Sequence, residues 1–233
     1  MSKWTRAAAL IWAVLNLHIS VSLKIYFLRH GQTTSSRDNV FCGSGTDVEL
    51  TSEGLEMARA FADVYRSTPW NAIYCSPLKR TVATARALSD AIGMKMDVRD
   101  GLKEIHYGKW EGQPAEVVDG QYHDDYIRWK ADPAWYAPTG GEPVMVIARR
   151  GLEVVEEIKQ RFKEGNVLVV SHKATIRVII CALLGIDVGR YRYRLGCPVA
   201  SVSMVEFSSH GPVLHTLADR THLTERLRTL PGT

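Results

Sequence analysis

The sequence predicts an α/β fold, a three-layer α/β/α sandwich around a doubly wound, mostly parallel sheet. Two observations predict it. Short β-rich runs alternate with longer segments whose apolar residues recur at helical spacing, the pattern of βαβ units. Polar residues able to do chemistry follow directly on three of those runs, where open α/β sheets bind their ligands.

The elements follow in order. Lys24–Leu28 is a buried strand that ends at Arg29-His30-Gly31. Thr51 is a plausible N-cap with Glu53 in the first turn, and Leu55, Ala58, Phe61, Ala62 and Tyr65 carry the helical stripe. Ala72–Cys75 is a second strand. Pro77 suits a first helical position, and Leu78–Ile92 continues as a helix closed by Gly93. Lys95–Val98 reads as a third, short strand. Residues 99–141 lack clean periodicity and are rich in Trp, Tyr, Gly and Pro, as function-bearing segments often are. Pro143–Phe162 is helical, with Gly165 at its end. Asn166–Val170 is the strongest strand, followed by Ser171-His172 and a helix through Leu184. Pro198–Phe207 and Pro212–Leu217 form a closing strand pair.

Composition excludes several classes. Hydrophobic residues make up 45% and charged residues 23%, so neither a disordered nor a collagen-like chain fits. The net charge is +4, two of it from Lys3 and Arg6, too little to argue for a nucleic-acid partner. Cys42, Cys75, Cys181 and Cys197 have no metal-finger or CxxC spacing and read as reduced thiols. Residues 1–22 stand apart. Basic Met1–Arg6, apolar Ala7–Leu17 and small Ser20-Val21-Ser22 are the three parts of a secretory signal peptide; an upstream extension of the reading frame is the other reading. The apolar run is too short for a membrane span. The domain is therefore set at residues 23–233. The expected location is the cytoplasm, or outside it where residues 1–22 direct export. Oligomeric state is left open, a homodimer included.

The residues after the strands make sense together. Arg29 and His30 follow the first, Ser76 and Arg80 the second, Ser171 and His172 the strongest. Guanidinium forks match phosphate oxygens, and helix N-termini add oriented N–H groups. The implied partner is a small phosphorylated substrate. A neutral imidazole is a nucleophile toward phosphorus, and positive charge suits the phosphoryl group in transfer. The leaving oxygen needs a proton, for which Glu104 is the candidate and Glu111 its rival. His30, His172 and Glu104 also form a familiar zinc set, but Arg29 and Arg80 at the same spot repel a cation and favour an anion. His106, His123, His210, His215 and His222 read as structural or surface residues. Trp129 and Trp135 are the aromatics able to face the organic part of a substrate.

These pieces resemble the histidine phosphatase superfamily, in the branch that includes cofactor-dependent phosphoglycerate mutases. The matching segments are Leu28-Arg-His-Gly-Gln-Thr33, Leu50-Thr-Ser-Glu-Gly54, Cys75–Ala85, Glu104–Gly112, Gly140-Gly-Glu142 and Val170-Ser-His172, in the family's order. The resemblance implies a phosphoglycerate mutase-like fold. It implies His30 as the phospho-accepting nucleophile, and Arg29, Arg80 and His172 as phosphoryl ligands. Glu104 would be the general acid and base. It implies no metal and no other cofactor. Two departures stand out. Ser36 occupies a place where the family often has a pocket Asn, with Asn39 displaced. Lys173 follows the second histidine where the family commonly has Gly; it either lends charge to the pocket rim or is a solvated first-turn residue.

The family contains phosphatases and mutases. Mutases typically carry a longer insertion between the acid and the Gly-Glu motif; here Glu104 to Glu142 spans 38 positions. A shorter lid predicts a site open to water, hence a metal-independent phosphomonoesterase for a small metabolite. A phosphoglycerate mutase and a non-catalytic phosphate-binding domain are the alternatives.

Overall fold

The computed structural model describes residues 22–232. The leader reading for residues 1–22 lies outside these, except at Ser22, whose carbonyl already accepts from Gly165 N at the edge of the sheet. One six-stranded sheet organises the chain: β1 (Leu23–Arg29), β2 (Trp70–Cys75), β3 (Met96–Val98), β4 (Gly165–Ser171), β5 (Val202–Ser208) and β6 (Gly211–Asp219). The order is β3-β2-β4-β1-β5-β6. Strands β3, β2, β4 and β1 run parallel, while β5 is antiparallel to β1 and β6, at the edge, is antiparallel to β5.

The central strands are buried on both faces, which is why they read as continuous apolar runs rather than alternating ones. Ile25, Phe27, Val167 and Val169 face one layer, built with α6 (Val144–Arg161) and α7 (Lys173–Leu183). Leu28, Ile73, Leu168 and Val170 face the other, built with α2 (Ser52–Tyr65) and α3 (Lys79–Ile92). The caps behave as the sequence asks. The Thr51 side chain accepts from Gly54 N, and Gly93 takes the left-handed conformation at the end of α3 with φ 68°.

Three expectations shift. Helix α3 starts at Lys79 with Leu78 as its N-cap, so Pro77 lies before the helix. The closing strand begins at Val202, because Pro198 and the left-handed Ala200 break the ladder. Residues 99–141 are not wholly irregular: they hold α4 (Ala115–Gln121) and α5 (His123–Ala131). Each is too short for its apolar stripe to stand out, and Gly120 and Tyr122 interrupt the pattern between them. Their buried faces, Val118, Tyr126 and Trp129, pack with Trp110 into a separate aromatic cluster. Among the described residues, no helix is long and apolar enough to cross a membrane. All four cysteines are free thiols.

Candidate active site

The carboxyl ends of β1, β2 and β4 open on a cavity of about 210 Å³. Arg29, His30, Arg80, Glu104, Ser36 and Lys173 all line it. His172 does not; fully buried, it stands directly behind the wall.

His30 leaves β1 where the chain turns sharply under α2. The turn is possible because Gly31 lies backbone to backbone against Gly54; a Cβ on Gly31 would sit 2.3 Å from the Gly54 carbonyl oxygen. The His30 ring donates Nδ1–H to the Gly31 carbonyl at 2.8 Å. That bond fixes the tautomer with the Nε2 lone pair unprotonated. Burial, and then the charges of Arg80 and Arg29, hold the His30 pKa well below 6.5. The ring is therefore neutral at pH 7.

His172 meets His30 edge to face at 5.3 Å between ring centroids. Its Nδ1 accepts from Arg80 Nε at 3.2 Å, and its Nε2–H donates to Ser76 Oγ at 2.9 Å. Burial, then Arg80, keep this imidazole neutral as well. Arg80 also donates to the carbonyls of Gly43 at 2.9 Å and Thr46 at 3.0 Å. Three of its five N–H groups are thus used, and one on each terminal nitrogen remains for an anion. The Arg29 guanidinium is anchored from behind by the Cys197 carbonyl at 2.7 Å.

Glu104 and Glu111 have different surroundings. Glu104 lines the cavity and reaches the N-terminus of α7. There His172 is the N-cap but gives no side-chain cap, so the carboxylate takes that place. Oε1 accepts from Ile105 N and Thr175 N, beside the Thr175 hydroxyl that donates to the Lys103 carbonyl at 2.8 Å; Oε2 accepts only from Ala174 N at 3.1 Å. Glu111 points away from the cavity. It accepts from Gly43 N, Gly45 N and Tyr107 N, and so orders the loop on which Arg80 rests. Both ring nitrogens of His172 are committed, so the zinc set weighed from the sequence lacks one of its three ligands.

The Gly140-Gly-Glu142 motif acts at one remove. Glu142 binds Arg150 at 2.9 Å, and Arg150 in turn donates to the carbonyls of Gly101, Lys103 and Glu104. A Cβ on Gly141 would meet the His106 carbonyl oxygen at 2.2 Å. The pair of motifs is one clamp on the Glu104 segment.

Of the two departures, Ser36 lines the cavity but its hydroxyl closes a capping box with Thr33. Asn39 reaches the cavity after all, from a left-handed position with φ 53°. Lys173 is half-buried on the wall, not solvated; burial, then Arg29 and Arg177, lower its pKa to about 8. Trp129 forms part of the wall, whereas Trp135 is 72% exposed and outside it. His106, His123, His210, His215 and His222 are not part of the wall. Sequence reasoning missed Arg177 and Arg192, both in the wall. Arg177 hides inside an otherwise apolar helix, and Arg192 lies in a four-residue helix (α8, Tyr191–Arg194) without a motif. Their only signal is a surplus of arginine near a site for anions.

Known proteins give the same picture. A phosphoserine phosphatase of Hydrogenobacter thermophilus is 30% identical over 87% of this chain and 95% of its own. A glucosyl-3-phosphoglycerate phosphatase of Mycolicibacterium vanbaalenii is 30% identical over 80% of this chain and 84% of its own. A phosphoserine phosphatase variant of Entamoeba histolytica, solved with phosphoserine, superimposes with a TM-score of 0.76. It is 26% identical and covers 87% of this chain and 100% of that one. The profile of the histidine phosphatase superfamily, branch 1, matches residues 25–220, and the chain belongs to that family.

Proposed function

We propose that the protein is a phosphomonoesterase that hydrolyses a small phosphorylated metabolite through a phosphohistidine on His30. The observation that carries this reading is the state of His30. It is a neutral imidazole with Nδ1 tied back and Nε2 unprotonated, in a cavity that also holds Arg29 and Arg80. The phosphatases to which the chain is similar support it.

In the first step the Nε2 lone pair forms a bond to phosphorus as the ester P–O bond breaks. Arg29 and the spare N–H groups of Arg80 take up charge on the phosphoryl oxygens. Glu104 gives its proton to the leaving oxygen, through Oε2, the less encumbered of its two oxygens. In the second step the ionised Glu104 takes a proton from water, whose oxygen bonds to phosphorus as the P–Nε2 bond breaks, releasing inorganic phosphate and returning His30 to its neutral form. His172 is a positioning residue: it holds Arg80 Nε and packs on the His30 ring. Lys173 adds charge at the rim.

The test is release of inorganic phosphate from a panel of phosphomonoesters, with EDTA present and a His30→Ala control. Phosphate release by the wild type alone is expected. No hydrolysis of any monoester, or conversion of 3-phosphoglycerate to its 2-isomer without free phosphate, would overturn the reading.

A further inference from the structure

The phosphoryl site uses only part of the positive charge in the cavity. Arg177 and Arg192 line it too, and nothing in the transfer step needs them. Arg177 stands one helical turn after Lys173 on α7. Its Nε and Nη2 donate to the Tyr191 carbonyl at 3.3 and 3.1 Å. That carbonyl precedes Arg192, so Arg177 fixes the backbone from which Arg192 projects.

Arg192 is placed by stacking rather than by a carboxylate. Its guanidinium carbon lies 4.1 Å from the Trp129 ring centroid. Its Nη1 is buried and has no hydrogen-bond partner among the described residues. A guanidinium that stacks on an aromatic ring, with no carboxylate beside it among the described residues, keeps donors for an anion in the cavity it lines. Among the described residues Glu104 is the one carboxylate of the cavity wall, and its oxygens already take three backbone hydrogen bonds. A phosphate monoester alone, at about −1.5 to −2, leaves the five cations of the wall under-compensated.

We infer that Arg192, held over the Trp129 ring and backed by Arg177, is a subsite for a second anionic group on the leaving half of the substrate. A guanidinium fork matches a carboxylate or a second phosphate, and the small cavity fits the carboxylate better. The substrate class is then the phosphate ester of a small hydroxy acid. The cavity of about 210 Å³ agrees, being smaller than the roughly 300–1,000 Å³ of pockets for drug-sized ligands.

The inference rests on the phosphatase reading, and the test separates the two. The probes are 3-phosphoglycerate and glycerol 3-phosphate, which differ in a carboxylate against a hydroxymethyl group, with p-nitrophenyl phosphate as a generic ester. The wild type is expected to favour 3-phosphoglycerate in kcat/KM by at least about 10-fold, the scale of one charge-assisted hydrogen bond. Arg192→Met is expected to bring the ratio to about 1, and Arg192→Lys to keep part of it. Each ratio is taken on one preparation, so incomplete folding of a variant cancels. A ratio near 1 in the wild type, or one kept in Arg192→Met, overturns the inference alone. So does hydrolysis of p-nitrophenyl phosphate with neither of the pair turned over. Failure of all three esters overturns the phosphatase reading and this inference with it.

Discussion

His30 and its neighbours show how burial and positive charge cooperate. Both lower the pKa of an imidazole, so the nucleophile stays unprotonated without a base to hold it so. Ring NMR of the free protein is therefore expected to show no His30 titration between pH 8 and 6.5; a midpoint at 6.5 or above would contradict this. Lys173 responds on the other side. Its charge is lost as pH rises through about 8, so KM is expected to rise there. Lys173→Met is expected to raise KM by about 10-fold at pH 7 and to flatten the profile above it, as steady-state kinetics would reveal. The two acids separate by the same logic. Glu104→Gln is expected to lower kcat by about 10²–10⁴-fold, the usual range for a lost general acid. Glu111→Gln acts through the Gly43–Gly45 loop and the Tyr107 backbone and is expected to keep kcat within about 10-fold. Arg29, His30, Arg80 and Glu104 were legible in the sequence because each sits beside a motif or a strand end. Arg192 was not, because its role depends on a stacking partner 63 positions earlier.

At the scale of elements, the site depends on close backbone approaches. Gly31 against Gly54 lets β1 deliver His30 under α2. Gly31→Ala is expected to destabilise the fold by about 1–3 kcal/mol, measurable by urea denaturation, because backbone rather than a flexible side chain must move. The strands and long helices could be read from composition and period, since two-sided burial leaves them uniformly apolar or cleanly striped. Helices α4 and α5 could not. Their buried residues answer to a local aromatic cluster and not to the main sheet. Helix α5 places Tyr126 and Trp129, and α4 places Ala115, in the cavity wall, so the segment that looked irregular helps to build the site.

At the scale of the molecule, one sheet brings residues from across the chain to a single edge. Arg29 and Ser171 are paired on neighbouring parallel strands, which sets His30 beside His172 although 142 positions separate them. The parallel half of this sheet was legible from the βαβ rhythm. The direction of β5 and β6 was not, because a strand pair at the edge has the same local signature either way. Carrying three neutral buried histidines, His30, His172 and His222, has a global cost in acid. Their folded pKa values lie below the unfolded 6.5, so the stabilisation present above that value is lost as pH falls below it. Each contributes a slope approaching about 1.4 kcal/mol per pH unit. The melting temperature is expected to drop steadily from pH 6.5 to 5, as calorimetry would show.

The central claim is a covalent intermediate on His30, and the most direct measurement is mass spectrometry of the protein quenched at neutral to alkaline pH during turnover of a phosphomonoester. The expected result is one added phosphoryl group, labile to acid, on the peptide that contains His30 and absent from His30→Ala. Phosphate release without any phosphoenzyme, by a His30→Ala variant as active as the wild type, would contradict the account.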